Sequence, residues 1–274
     1  MKRSILKLVW QEAGADFLLS IGQGIQEAQY DPIWRAALCS KKPQHLFEKW
    51  QRFEKFSHSS NRVCIQQNDE NMAYFQRYAI NGGAPTMPEN FLICGLIIAL
   101  LEGIGCLGLR CEMQIEGRAG FVIRENGQFK LPRNVEKLVT DSWQIGWQSF
   151  SSRINNPVSE IISLPIPHDQ TTHIESLVRL LMADVSHQWK VGELAQETGQ
   201  SKRSLQRKLG EAGLNFSSLI RNVRIHEACS LLAEGDAPVT SIAFCTGFSD
   251  SAHFSRDFRA SMGMTPTDYR VGVQ

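Results

Sequence analysis

Two nine-residue stretches of this chain repeat each other, Val191-Gly-Glu-Leu-Ala-Gln-Glu-Thr-Gly199 and Val239-Thr-Ser-Ile-Ala-Phe-Cys-Thr-Gly247. The matched positions are Val191/Val239, Leu194/Ile242, Ala195/Ala243, Thr198/Thr246 and Gly199/Gly247, at an offset of 48 residues. After the glycine the offset becomes 49, aligning Leu205 with Phe254, Arg207 with Arg256 and Leu209 with Phe258. An internal repeat of this kind means one supersecondary unit built twice. Each copy reads as helix, turn, helix. Leu194 or Ile242 is the buried residue of a short first helix, and the small Ala195 or Ala243 lets a second helix cross closely. Gly199 or Gly247 ends the first helix where a left-handed residue is needed. A side chain able to cap the next helix follows, Ser201 in the first copy and Asp250 (or Ser249) in the second.

The segment joining the copies fits this reading. Phe216–Ala233 contains no Gly or Pro and places Leu219, Ile220, Val223, Ala228, Leu231 and Leu232 at helical spacing. A helix of that length spans about 27 Å. Recognition helices entering successive major grooves on one face of DNA sit about 34 Å apart. The spacing predicts one chain gripping two adjacent grooves.

These residues also carry a resemblance. Gly247-Phe-Ser-Asp-Ser-Ala-His-Phe-Ser-Arg-Asp-Phe258, followed by Gly263-Met-Thr-Pro-Thr-Asp-Tyr-Arg270, resembles the signature of the AraC/XylS family of bacterial transcription regulators. Ser201 through Leu209, followed by Glu211-Ala212-Gly213, resembles that family's first unit. The resemblance covers about residues 170–271. It implies a cytoplasmic, nucleoid-associated regulator that binds double-stranded promoter or operator DNA. It further implies a homodimer, a small-molecule effector and contact with RNA polymerase.

The first recognition helix begins Lys202-Arg203-Ser204-Leu205-Gln206-Arg207-Lys208. Leu205 and Leu209 face the core. Arg203 and Gln206 suit base edges, because Arg pairs with guanine and Gln with adenine in the major groove. Lys202, Arg207 and Lys208 suit phosphates. The second helix offers Ser251, Ala252, His253, Ser255 and Arg256. Ala252 suits a thymine methyl, and His253 a base or phosphate. Arg256 reads equally as a DNA contact or a structural ion pair. Phe248, Phe254, Phe258 and Ile242 read as core, with Thr265 capping a last helix that starts at Pro266. From Ile174 onward there are eleven Lys/Arg and eleven Asp/Glu. Salt-dependent DNA affinity therefore rests on a few local contacts.

The first half is different. Residues 1–30 place Phe17, Leu18, Ile21 and Ile25 at helical spacing, Pro32 opens a second helical stretch, and His45–Phe56 is amphipathic. Arg62–Gln67 and Met72–Ala79 read as a hairpin around Asn68–Asn71, and a loop at Gly82–Pro85 follows. Phe91–Leu101 is uninterrupted and apolar, too short to span a membrane and suited to a buried helix. Leu109–Ile115, Gly120–Arg124 and Trp143–Phe150 read as strands. The expectation is an α+β N-terminal domain with an antiparallel sheet (residues 1–160). A linker (161–173) marked by Pro165 and Pro167 follows, then an all-α DNA-binding domain with two helix-turn-helix units (174–274).

The N-terminal part is similar to the effector domain of an AraC subgroup that includes arabinose-binding-like and ornithine-utilisation-type regulators. The likeness rests on element order, on Pro32–Leu38 (PIWRAAL), on the helix leading to His58 and on the helix near residues 91–104. The sequence is shorter than that pattern after Gly108. The likeness implies effector binding and dimerisation, with Trp34, His58, Glu102, Arg110, Trp143 and Trp147 as candidates. Glu102, a carboxylate on an apolar helix, needs solvent or a partner, and Arg110 is the expected one. The alternative is an interaction module controlled by a protein partner, with no small-molecule effector.

Composition excludes other classes. Net charge is +1 and hydrophobic residues make up 42%, a globular balance without a global basic signal. The seven cysteines show no CxxC, so neither a disulfide framework nor a Cys-rich zinc site is expected. The seven histidines show no HExxH, the closest pair being His168 and His173, and no cysteine sits in a nucleophile elbow. No catalytic residue, metal or cofactor is expected. The N-terminus lacks the long apolar stretch of a signal peptide, and no membrane partner is expected.

Overall fold

The computed structural model describes residues 2–26, 32–57, 60–115, 118–153 and 171–273. The chain opens with α1 (Lys2–Ser20), a 3-10 turn (Ile21–Gln26), α2 (Pro32–Leu38) and α3 (Pro43–Phe56). Two compact units form, one from Met1–Tyr30 with Ser40–Arg153 and one from Asp31–Cys39 with Ile154–Gln274. The second unit thus takes α2 from the N-terminal third of the sequence.

In the first unit, a hairpin of β1 (Asn61–Asp69) and β2 (Met72–Ala79) precedes α4 (Met87–Ile104). Then come β3 (Cys106–Leu107), β4 (Arg110–Ile115), β5 (Arg118–Glu125), β6 (Gln128–Phe129), β7 (Leu138–Gly146) and β8 (Ser149–Phe150). Six strands make an antiparallel sheet in the order β1-β2-β7-β4-β5-β6, and β3 pairs separately with β8. The expected strand over Trp143–Phe150 is two: β7 starts earlier, at Leu138, and ends at Gly146. Trp147 N–H still bonds the carbonyl of Asn71 beside β2 (3.0 Å), and Gln148 N–H then turns to the carbonyl of Leu107 (2.9 Å), where the pairing with β3 begins.

Register explains the core. Phe75 and Met113 both lie opposite Trp143, so the three share one sheet face and are buried together. The Phe75 and Trp143 rings stack 5.9 Å apart. On α4, Phe91, Cys94, Ile97, Ile98 and Leu101 are buried, and Cys94 Sγ lies 3.8 Å from Cys111 Sγ of β4. The apolar run is therefore consumed as the core helix of this unit. At the helix start, the Glu89 carboxylate accepts from Thr86 N–H (2.7 Å) and the Thr86 hydroxyl (2.9 Å).

The second unit is helical: α5 (Thr171–Met182), α6 (Val191–Glu197), α7 (Lys202–Glu211), α8 (Phe216–Glu234), α9 (Val239–Cys245), α10 (Ser251–Met262) and α11 (Pro266–Val273). Helix α2 packs on α9, and Arg35 reaches Glu227 of α8 (2.6 Å). Burial pushes the Glu227 carboxyl up, and the Arg35 charge opposes that shift.

Candidate nucleic-acid interface

The two helix-turn-helix copies use the same bonds at the same places. Thr198 Oγ1 donates to the carbonyls of Leu194 (2.9 Å) and Ala195 (3.1 Å); Thr246 Oγ1 donates to those of Ile242 (2.7 Å) and Ala243 (3.4 Å). In the turns, Gln200 N–H donates to Ala195 O (2.8 Å) and Phe248 N–H to Ala243 O (3.0 Å). Gly199 and Gly247 have φ of 65° and 86°, the left-handed region in which a Cβ is strained. Ser201 Oγ then accepts from Ser204 N–H (3.2 Å), and Asp250 Oδ1 from His253 N–H (2.7 Å). The His253 bond holds the Asp250 carboxyl below its ordinary range.

The equivalence runs further than the sequence pairing indicated. Gly213 and Gly263, both at positive φ, close α7 and α10. Asn215 caps α8 by accepting from Ser218 N–H (2.9 Å), and Thr265 caps α11 by accepting from Asp268 N–H (3.2 Å). The sequence shows both of these helices, but not their equivalence, because the offset drifts to 50 residues and the cap changes from Asn to Thr. A search for capping side chains just after each glycine would have found it.

Burial divides α7 cleanly. Leu205 and Leu209 are inaccessible, and Lys202, Arg203, Gln206 and Arg207 are exposed. These exposed side chains differ in how they are held. Lys202 lays its stem across Gly192, where any side chain would collide with it. Arg207 pairs with Glu211 one turn on (2.7 Å). Lys208 is half-buried, and its charge helps burial to lower the His173 pKa. Among the described residues, Arg203 and Gln206 have no hydrogen-bond or ion-pair partner. The two side chains best suited to base edges thus stand unengaged.

Helix α10 is more occupied with itself. His253 is 3.1 Å from Ser249 Oγ at Nδ1 and 3.4 Å from Asp257 Oδ2 at Nε2, with its ring edge-on to Phe248. Ser255 Oγ donates to Ser251 O (2.9 Å), and Arg221 of α8 reaches Asp257 (3.3 Å). Ala252 and Arg256 are exposed, Ser251 is half-buried, and Arg256 has no ion-pair partner among the described residues.

The N-terminal candidates separate. Glu102 pairs with Arg124, not Arg110: Nη2 lies 2.8 Å and 3.0 Å from the two carboxylate oxygens, and Nε lies 3.1 Å from one of them. Arg110 instead approaches Glu112 and Glu125 (both 3.5 Å). The antiparallel pairing of β4 and β5 decides this, carrying Arg124 to the buried side beside α4. Trp143 is core. Trp34 lies on α2 in the second unit, and His58 lies outside the described residues, as do Pro165, Pro167 and His168 of the expected linker. Arg110 and Trp147 do come together, lining a groove of about 370 Å³ with Asp69, Asn71, Glu125 and Gln148.

Residues 194–271 match the helix-turn-helix domain family. The HTH-type transcriptional activator FapR of Escherichia coli is 30% identical over 123 residues, covering 45% of this chain and 47% of FapR. The TCP pilus virulence regulatory protein of Vibrio cholerae is 27% identical over 126 residues, covering 46% and 44%. A solved regulator with an AraC-type DNA-binding domain, from Chromobacterium violaceum, is 24% identical with a TM-score of 0.37, covering 39% of this chain and 96% of that one. The chain spans about half the length of the curated relatives it matches. By name, the first of these relatives is a transcriptional activator and the second a regulatory protein. Its second unit, over residues 194–271, matches the helix-turn-helix domain family and is similar to the DNA-binding parts of these regulators.

Proposed function

We propose that this chain regulates transcription by binding operator DNA, one monomer placing α7 and α10 in two successive major grooves. In this reading Arg203 and Gln206 meet base edges, and Lys202, Arg207 and Lys208 meet phosphates. Ser251, Ala252, His253, Ser255 and Arg256 form the second, weaker contact. The observation that carries it is the doubled turn-and-cap geometry joined by α8, whose 19 residues span about 28 Å. Such a role places the protein at the nucleoid in the cytoplasm. Hydroxyl-radical footprinting of the full chain tests it. Two protected patches about one helical turn apart are expected; a single patch per monomer contradicts it.

The first unit is read as the modulating one, through a homodimer and a small effector. Exposed Ile5, Leu8, Phe17 and Ile21 near the N-terminus favour a homodimer surface there, since α4 and Trp143 are consumed in the core. The groove at Arg110 and Trp147 has the size of a small-ligand site. A metabolite that raises the melting temperature supports the effector reading. If no metabolite does so, control by a protein partner remains.

A further inference from the structure

The eight residues between α5 and α6 are packed more tightly than a connector requires. Asp184, Val185, Ser186, His187 and Trp189 are all buried. Trp189 Nε1 donates to Asp184 O (2.9 Å), and Val185 and Trp189 join the cluster of Leu194, Leu205 and Leu209. The connector is therefore part of the rigid body that carries α7.

From this body two contacts run to the second copy. Gln188 Nε2 donates to the carbonyl of Gly247 in the second turn (2.8 Å). Arg224, midway along α8, donates from Nη2 to His187 O (3.2 Å), and its guanidinium carbon lies 5.9 Å from the Phe248 ring centre. Gly247 is where they meet. A Cβ there would lie 2.8 Å from both Arg224 Nε and Val185 O. Its counterpart Gly199 has nothing within 4 Å of that position. The same glycine answers a local need in the first copy and a long-range contact in the second.

We propose that Gln188 and Arg224 are positioning residues that fix the separation and twist between the two recognition helices. Joined by α8 alone, the two bodies form a lever that bends and twists along its length. The connector closes that lever into a triangle with corners at the first core, at α8 and at the Gly247 turn. Neither residue is placed at the DNA. Their effect is on which spacing of half-sites the protein accepts. This rests on the reading that α7 and α10 both contact DNA.

The test uses the full-length chain and a duplex selected with it from a random pool, then the same duplex with one base pair inserted between the half-sites. The insertion rotates one half-site by about 35° relative to the other. Wild type is expected to bind the altered duplex much more weakly. Gln188→Ala and Arg224→Gln reduce that discrimination about fivefold or more, the order of what one hydrogen bond contributes. Base preference within each half-site stays unchanged. Gln188→Glu, an exposed replacement whose carboxylate faces the Gly247 carbonyl, acts in the same direction and covers the case in which the Arg224 variant fails to fold. A lowered melting temperature with unchanged spacing discrimination overturns the proposal. A wild-type footprint confined to one groove overturns the underlying two-groove reading, and this inference with it.

Discussion

The two helix-turn-helix copies share a backbone and differ in what hangs from it. The first has a mainly aliphatic core of Leu194, Leu205 and Leu209, joined by Trp189 of the connector. The second has an aromatic one, in which Phe248, Phe254, Phe258 and Tyr269 contact in series at 5.1, 5.6 and 5.5 Å. On the outside the contrast reverses. The first copy presents Arg203 and Gln206 without partners among the described residues, whereas the second spends His253 and Ser255 on its own helix. The copies share the turn and the caps, which local backbone chemistry demands, and differ in their surfaces. In the proposed reading, the first copy reads base edges and the second anchors the protein.

The largest test of that contrast is in the turns. Gly199→Ala incurs only the left-handed penalty, about 1–2 kcal/mol. Gly247→Ala incurs that and a collision with Arg224 and Val185, so its loss of stability in denaturant unfolding is expected to exceed that of Gly199→Ala clearly. Equal losses would remove the asymmetry between the copies. Next comes the core. Phe254→Ala should destabilise by about 3–5 kcal/mol and Leu205→Ala by about 2–5 kcal/mol. Both residues are fully buried, so a loss below 1 kcal/mol at either would contradict the packing described.

Much of this unit was legible in the sequence, because the signals are short-range. A glycine after a Thr, a cap two or three residues on and apolar residues at i and i+4 specify the motif without knowledge of the rest. What was not legible depends on partners far along the chain. Glu102 finds Arg124 because of strand register, and Pro32–Leu38 packs with a unit that resumes more than a hundred residues later. The engagement of Arg207 by Glu211 was readable from i,i+4 spacing. That Lys202 lies over Gly192 was not, since it depends on how α6 and α7 cross.

The caps supply a smaller contrast. Ser201→Ala should cost about 1 kcal/mol at α7. The Asp250 cap titrates, and the Ser201 cap does not. Because the folded Asp250 pKa is depressed, its contribution is complete above the ordinary value of 3.8 and is lost as pH falls through the lower folded value. The amide resonance of His253 should follow that titration by NMR while that of Ser204 stays still. A midpoint at or above 3.8 would sink the assignment. The smallest effect belongs to the Arg207–Glu211 pair. Glu211→Gln should lower stability by about 0.3–0.5 kcal/mol. The freed Arg207 should tighten DNA binding and steepen its salt dependence by up to about one phosphate contact. Unchanged or weaker binding would show that Arg207 does not face the phosphates.

The inequality of the two copies is tested most directly by selecting bound sequences from a random duplex pool with wild type, with the double variant Arg203→Ala, Gln206→Ala, and with Arg256→Ala. Wild type should return two blocks of base preference, the stronger under the first copy. The double variant should lose about 1–3 kcal/mol of discrimination per base pair read, all within that block. Arg256→Ala should weaken binding nearly evenly across sequences. A double variant that keeps the wild-type preferences, or an Arg256→Ala that erases the stronger block, would contradict a first copy that reads and a second that holds.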